Sequence, residues 1–272
     1  MTFNDKLRKI TLKNNSLLCI GLDSELAKIP QHLKERGHPQ HEFNQAIIKI
    51  THDLVCAYKL NTAFYEARGE NGIRELKRTC DYLKESFPEI PVIVDAKRAD
   101  IGNSNEGYTK FIFDYLSADA VTVHPYLGQE ALKPFLDRLE KGIFVLCRSS
   151  NPGAGEFQDL EVNGKPLYQV VAENVADKWN YNNNCGIVVG ATYPSELEIV
   201  RRIVDKIPIL IPGIVTQGGD IEKTVKSGVD SEGLNAIINS SRGIIFAGDG
   251  TDFTQKARQE ALSLKNQINE FR

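Results

Sequence analysis

The stretch Val92-Ile93-Val94-Asp95-Ala96-Lys97-Arg98-Ala99-Asp100-Ile101 decides how this chain reads. Its first half is apolar and β-branched, the composition of a buried strand. Its second half is charged. Side chains alternate faces along a strand, so Asp95 and Lys97 point the same way. Arg98 and Asp100 follow where the strand gives way to a loop. Charges of both signs at the mouth of an apolar strand are costly to desolvate unless they pair. Two readings follow: a salt-bridge cluster that closes a barrel strand, or charged groups converging on a cleft, as active sites arrange them.

Outward from this stretch, apolar runs recur with helical patterns between them. Strand-like runs cover 17–23, 55–61, 120–125, 142–147, 186–190, 208–212 and 233–239. Amphipathic or helix-forming patterns cover about 41–54, 72–86, 103–116, 129–139 and 166–179. A further helix opens with Tyr193-Pro194-Ser195-Glu196, and the last covers about 253–271. Near-continuous apolar strands alternating with helices predict a parallel sheet. Eight such repeats in 272 residues predict an α/β fold of the (β/α)8 TIM-barrel type rather than an open doubly wound sheet. With no linker or low-complexity stretch, residues 1–272 read as one domain. That is long enough to bury roughly three quarters of the unfolded surface.

A TIM barrel carries its chemistry at the carboxyl ends of its strands. Asp23, Lys59, Asp95, Lys97, Ser150, Gln217 and Arg242 all fall there. The loops after strands seven and eight are the usual phosphate site of this barrel. Here they read Pro212-Gly213-Ile214-Val215-Thr216-Gln217-Gly218-Gly219-Asp220 and Asn239-Ser240-Ser241-Arg242-Gly243-Ile244. Gly218, Gly219 and Gly243 allow backbone N–H groups close to an anion, and Arg242 can grip it bidentately. The long connection at 153–160 suggests a lid, since such loops are uncommon without a function. His124-Pro125 reads as a structural corner of the barrel rim.

Totals exclude some classes. A net charge of −3 gives no sign of a nucleic-acid or anionic-membrane partner. No apolar run approaches the ~20 residues of a membrane span, and the first residues lack a signal-peptide pattern. The five cysteines, Cys19, Cys56, Cys80, Cys147 and Cys185, lie scattered in apolar segments, which predicts reduced core residues of a cytoplasmic protein. The five histidines are equally dispersed, so no zinc site is read.

Asp95-x-Lys97-Arg98-x-Asp100-Ile101 resembles the signature of the orotidine 5'-phosphate decarboxylases, which form UMP in the last step of pyrimidine synthesis. Gly102-Asn103-Ser104-Asn105 and the connection after Ser149-Ser150-Asn151-Pro152-Gly153 resemble the longer bacterial-type subfamily. The resemblance covers nearly the whole chain. It implies a catalytic tetrad of Lys59, Asp95, Lys97 and Asp100, no cofactor, and a homodimer with shared active sites in which Asp100 completes the neighbour's site. It further implies Asp23 on the ribose hydroxyls, and Ile101 and Ser104 closing over the partner's substrate. Threonine is commoner than serine at the latter position in the family. Ser150 would read the pyrimidine edge, and Gln217 and Arg242 would hold the phosphate.

The chemistry accounts for that set. Losing CO2 from carbon 6 of orotidine 5'-monophosphate leaves charge in an orbital the ring delocalises poorly. Fixed positive charge must therefore stand where the carbanion grows. Lys97 can supply it and then deliver the proton, while neighbouring carboxylates keep the lysines protonated. Two other readings stay open. One is a Mg-dependent 3-keto-sugar-phosphate decarboxylase or hexulose-phosphate synthase, which shares the barrel and the DxKxxD run but places a further carboxylate on strand two, where this chain has Lys59 and Asn61. The other is a non-catalytic nucleotide-binding barrel, for which a costly buried charge quartet is unneeded.

Overall fold

The computed structural model describes residues 1–214 and 220–272. Its strands are β1 (Leu18–Gly21), β2 (Ala57–Asn61), β3 (Val92–Arg98), β4 (Ala120–Val123), β5 (Gly142–Arg148), β6 (Glu161–Val162), β7 (Lys165–Pro166), β8 (Cys185–Val189), β9 (Ile209–Pro212) and β10 (Ala236–Ser240). Eight of them close a parallel barrel in the order β1-β10-β9-β8-β5-β4-β3-β2, as the repeating pattern predicts. The strands are short and apolar because both faces are covered: the barrel interior on one side, helices on the other. The helix Gly69–Ser86 turns Leu76, Cys80 and Leu83 of its expected stripe inward and leaves Ile73, the fourth member, half-buried. All five cysteines are free and buried. Among the described residues no helix is long and apolar enough to cross a membrane.

Three features depart from the sequence expectation. The helix Phe3–Asn14, capped by Thr2 and Asp5, was not anticipated. Phe3 meets Phe144 edge-on at 5.5 Å and Lys6 Nζ reaches Asp119 Oδ2 at 2.8 Å, so this helix covers the amino ends of the strands and leaves the carboxyl ends open. Next, the last strand begins at Ala236 rather than 233, because Gly233 and Asn235 adopt positive φ (72° and 59°) and turn the chain first. Finally, the long connection after β5 is not plain loop. It holds short helical turns at Pro152–Ala154 and Gly155–Gln158, then the β6–β7 hairpin. That hairpin turns on Asn163-Gly164, both at positive φ, the two-residue loop an Asn-Gly pair favours.

β3 ends in a bulge. Val94 pairs with Val121 and Arg98 with Val123, so four steps on β3 match two on β4. Lys97 sits inside this irregularity with φ at 45°. A bulge re-aims the residues it contains, and the site depends on where it aims them.

Candidate active site

At the carboxyl ends of the barrel strands lies a cavity of about 290 Å³. Its apolar walls include Leu146, Val188, Leu210 and Ile214. Its polar lining includes Asp23, Lys59, Asp95, Lys97, Thr122, Ser150, Asn239 and Arg242.

Charge is concentrated on one side. Asp95, 9% exposed, is the hub. Its Oδ1 accepts from Lys97 Nζ at 2.7 Å and from Thr122 Oγ1 at 2.8 Å; its Oδ2 accepts from Lys59 Nζ at 3.3 Å. Lys59, 3% exposed, also lies 3.6 Å from Asp23 Oδ1. Burial alone would push the Asp95 carboxyl up, yet the Lys59 and Lys97 ammonium groups hold it well below the usual carboxylate range. Burial opposes charge on Lys59 as well, but Asp23 and Asp95 together raise it above the ordinary lysine value. At neutral pH the hub is a carboxylate and Lys59 an ammonium. Lys97 differs from Lys59 in exposure: half of its side chain faces the cavity mouth.

The loops that bring in the other groups fit because two glycines let them. A Cβ on Gly21 would stand 1.9 Å from Ser241 Oγ, so β1 must be bare there for the Ser240–Arg242 segment to reach the rim. A Cβ on Gly190 would stand 2.6 Å from Ser150 Cβ, so Ser150 seats against the end of β8 only because that position is glycine. Asp23 is steadied by a buried network behind it. Tyr65 Oη donates to Leu22 O at 2.8 Å, Gln40 Nε2 donates to Ser24 O at 2.6 Å, and the Ser24 hydroxyl bonds Asn44 Oδ1. Asp23 Oδ1 and Asn239 Oδ1 are buried acceptors with no hydrogen-bond partner among the described residues. Buried acceptors are normally satisfied, so this pair suits a ligand that brings hydroxyl or N–H donors.

Of the residues singled out in the sequence, the cavity gathers Asp23, Lys59, Asp95, Lys97, Ser150 and Arg242. It leaves out Asp100, so the alternating Lys59–Asp95–Lys97–Asp100 network does not form within one chain. Asp100 Oδ1 instead accepts its neighbour Ile101's N–H at 2.7 Å, and Asp23 supplies the second carboxylate beside Lys59. The physical reason is the bulge, which ends β3 before Asp100 and turns it out of the barrel mouth. Ile101 is 61% exposed, and Ser104, also exposed, is outside the lining too. Gly243 sits behind the rim in the short helix Arg242–Ile245 and does not line the cavity. Gln217, Gly218 and Gly219 lie outside the described residues. The expected lid, 153–160, contributes no lining residue. It is held to the end of β5: Arg148 reaches Asp159 Oδ2 at 3.1 Å and Gln158 Oε1 at 3.2 Å, and Ser149's N–H donates to Gln158 Oε1 at 2.8 Å.

Both readings of the charged run hold, for different residues. Arg98 makes the closing salt bridge, to Glu66, and lies over the Tyr108 ring at 5.4 Å. Asp95 and Lys97 enter the cleft. Thr122 and Asn239 were missed. The available signal was a polar residue within or ending an otherwise apolar barrel strand. Among the described residues, no group of three or more His, Cys, Asp or Glu is arranged to hold a metal ion.

Comparison with known proteins places the whole chain. The family described as orotidine 5'-phosphate decarboxylase / HUMPS matches residues 16–257. The chain is 48% identical to the orotidine 5'-phosphate decarboxylase of Cellvibrio japonicus, covering 99% of this chain and 98% of that one. It is 46% identical to the enzyme of the same name from Ralstonia pickettii over the full length of both. Among solved structures, the Leishmania donovani OMP decarboxylase superposes with a TM-score of 0.87 at 35% identity, covering 100% of this chain and 98% of that one.

Proposed function

The chain belongs to the orotidine 5'-phosphate decarboxylase family and is a carboxy-lyase of that kind; from that premise we propose how its residues divide the work. The observation that carries the reading is the buried Asp95 carboxylate held between Lys59 and Lys97 on one side of a cavity whose rim carries Arg242. Orotidine 5'-monophosphate binds with its phosphate at Arg242 and the loop that includes Gln217, Gly218 and Gly219. Its ribose lies near Asp23 and its ring against the apolar wall and Ser150. Carbon 6 then faces Lys97. The C6–carboxylate bond breaks, CO2 leaves, and the electron pair stays on C6 beside the Lys97 ammonium. Lys97 Nζ then gives its proton to that carbon and UMP forms.

Asp95 does not transfer the proton. It keeps Lys97 aimed, and with Asp23 it keeps Lys59 charged in a place where burial alone would discharge it. The protein acts as a cytoplasmic homodimer, residues 1–272 forming one domain. Asp100, Ile101 and Ser104, which stand outside their own cavity, complete the neighbour's. Support for this comes from exposed apolar side chains just past the ends of the paired strands β3 and β4: Ile101, 61% exposed, after the first, and Tyr126, 84%, and Leu127, 44%, after the second.

The direct test is loss of orotidylate absorbance in the ultraviolet, with and without EDTA. Turnover is expected to be unchanged by the chelator, because the positive charge comes from ammonium groups already seated on Asp95. Activity lost to EDTA and restored by Mg2+ would point instead to metal-assisted sugar-phosphate chemistry.

Arg242→Ala is expected to lose far more on orotidine 5'-monophosphate than on orotidine, its phosphate-free nucleoside. Binding energy from a remote phosphate can be spent on closing the site around the reacting carbon, so kcat falls along with affinity. Steady-state kinetics on both substrates checks this. Equal losses would remove Arg242 from the phosphate site.

A further inference from the structure

Thr122 lies on β4 between apolar neighbours, Ala120, Val121 and Val123, and is 1% exposed. A buried hydroxyl on such a strand costs stability unless its bonds are made. Here both its donor and acceptor are engaged with one element, the end of β3. Its Oγ1 donates to Asp95 Oδ1 at 2.8 Å, and it accepts the backbone N–H of Lys97 at 3.0 Å. That N–H belongs to the residue at φ 45°, where the β3–β4 register shifts. The regular ladder cannot take up this N–H across the bulge; the Thr122 hydroxyl does.

We propose that Thr122 is a positioning residue for decarboxylation: its hydroxyl locks the Asp95 carboxylate and the backbone of Lys97 into one arrangement, so that Lys97 Nζ is aimed before substrate arrives. This rests on the roles given above to Asp95 and Lys97. Asp95 Oδ1 is shared by two donors, Lys97 Nζ and Thr122 Oγ1. Without the hydroxyl, that oxygen keeps Lys97 Nζ as its one donor, and the Lys97 backbone loses the bond that holds its turn. Catalysis tolerates such misplacement poorly, because a reacting group displaced by even about 1 Å loses much of its effect. Phosphate and ribose contacts lie elsewhere in the cavity and are untouched.

The test compares Thr122→Val, which keeps the β-branched shape and removes the hydroxyl, with Thr122→Ser, which keeps the hydroxyl. Asp95→Asn serves as the control. In Thr122→Val, kcat is expected to fall on the order of ten- to a hundredfold, the size of effect when a buried acceptor loses its donor. KM for orotidine 5'-monophosphate and the dissociation constant of UMP should move by less than about threefold, since uniform binding is retained. Thr122→Ser should recover most of kcat. Parental turnover in Thr122→Val would overturn the proposal. So would a serine variant as impaired as the valine one, or kcat, UMP affinity and melting temperature falling in parallel, which marks a packing role. Should Thr122→Val melt below the assay temperature, Thr122→Ala against Thr122→Ser decides the same comparison. Asp95→Asn separates the two levels: if it stays active, the roles assigned to the hub fail and the Thr122 proposal fails with them. If it is inert while Thr122→Val is fully active, only the Thr122 proposal fails.

Discussion

Lys97→Ala folds like the parent and loses at least roughly four orders of magnitude of turnover, since it removes both a proton donor and the charge facing the carbanion. Folding is spared for a local reason. Half of the Lys97 side chain is exposed, so its removal opens no cavity in the core. Asp95 keeps Lys59 Nζ at 3.3 Å and Thr122 Oγ1 at 2.8 Å, so the buried carboxylate is not stranded. Lys59 cannot substitute in the chemistry, because it is 3% exposed, between Asp23 and Asp95. Thermal melting and the ultraviolet assay are measured on the same preparation. A variant that melts like the parent and keeps a tenth or more of its activity would take Lys97 out of the central role.

Mixing two inactive variants is expected to restore activity. Lys97→Ala removes the group aimed into the chain's own cavity, whereas Asp100→Ala removes a carboxylate that lies outside it. If Asp100 serves the neighbour across a two-fold interface, each site of the dimer takes Lys59, Asp95 and Lys97 from one chain and Asp100 from the other. A mixed dimer then concentrates both lesions in one site and leaves the other whole. Random pairing of equal amounts makes about half the dimers mixed, so roughly a quarter of all sites should be intact. Each variant alone stays near the baseline. Subunit exchange must be verified independently, for instance with two distinguishable tags. If exchange is complete and no activity returns, Asp100 works within its own chain or not at all.

How much was legible in the sequence differs from residue to residue. Eight apolar runs with helices between them led to the closed parallel barrel, because a strand covered on both faces must be apolar along its whole length, and that is written in composition. The barrel in turn places strand ends at one mouth, so Asp23, Lys59, Asp95, Lys97, Ser150 and Arg242 could be named together without coordinates. The Asn163-Gly164 hairpin is of the same kind, since an Asn-Gly pair signals its two-residue turn locally. The direction of a side chain just past a strand end was not readable. Asp95 and Lys97 do meet, as alternation requires, but they meet across a backbone at positive φ that no β pattern predicts. The same bulge leaves Asp100 outside the cavity, while the second carboxylate beside Lys59 is Asp23, which the pairing of β1 with β2 brings alongside. Thr122 was hidden for a related reason. A threonine in an apolar strand is unremarkable until the neighbouring strand shifts register and leaves it facing a carboxylate and a bare N–H. Period and composition are properties of single segments, and they determined the barrel and the end at which the chemistry sits. Hydrogen bonds across a register shift belong to pairs of strands, and only the tertiary structure decided which charges touch.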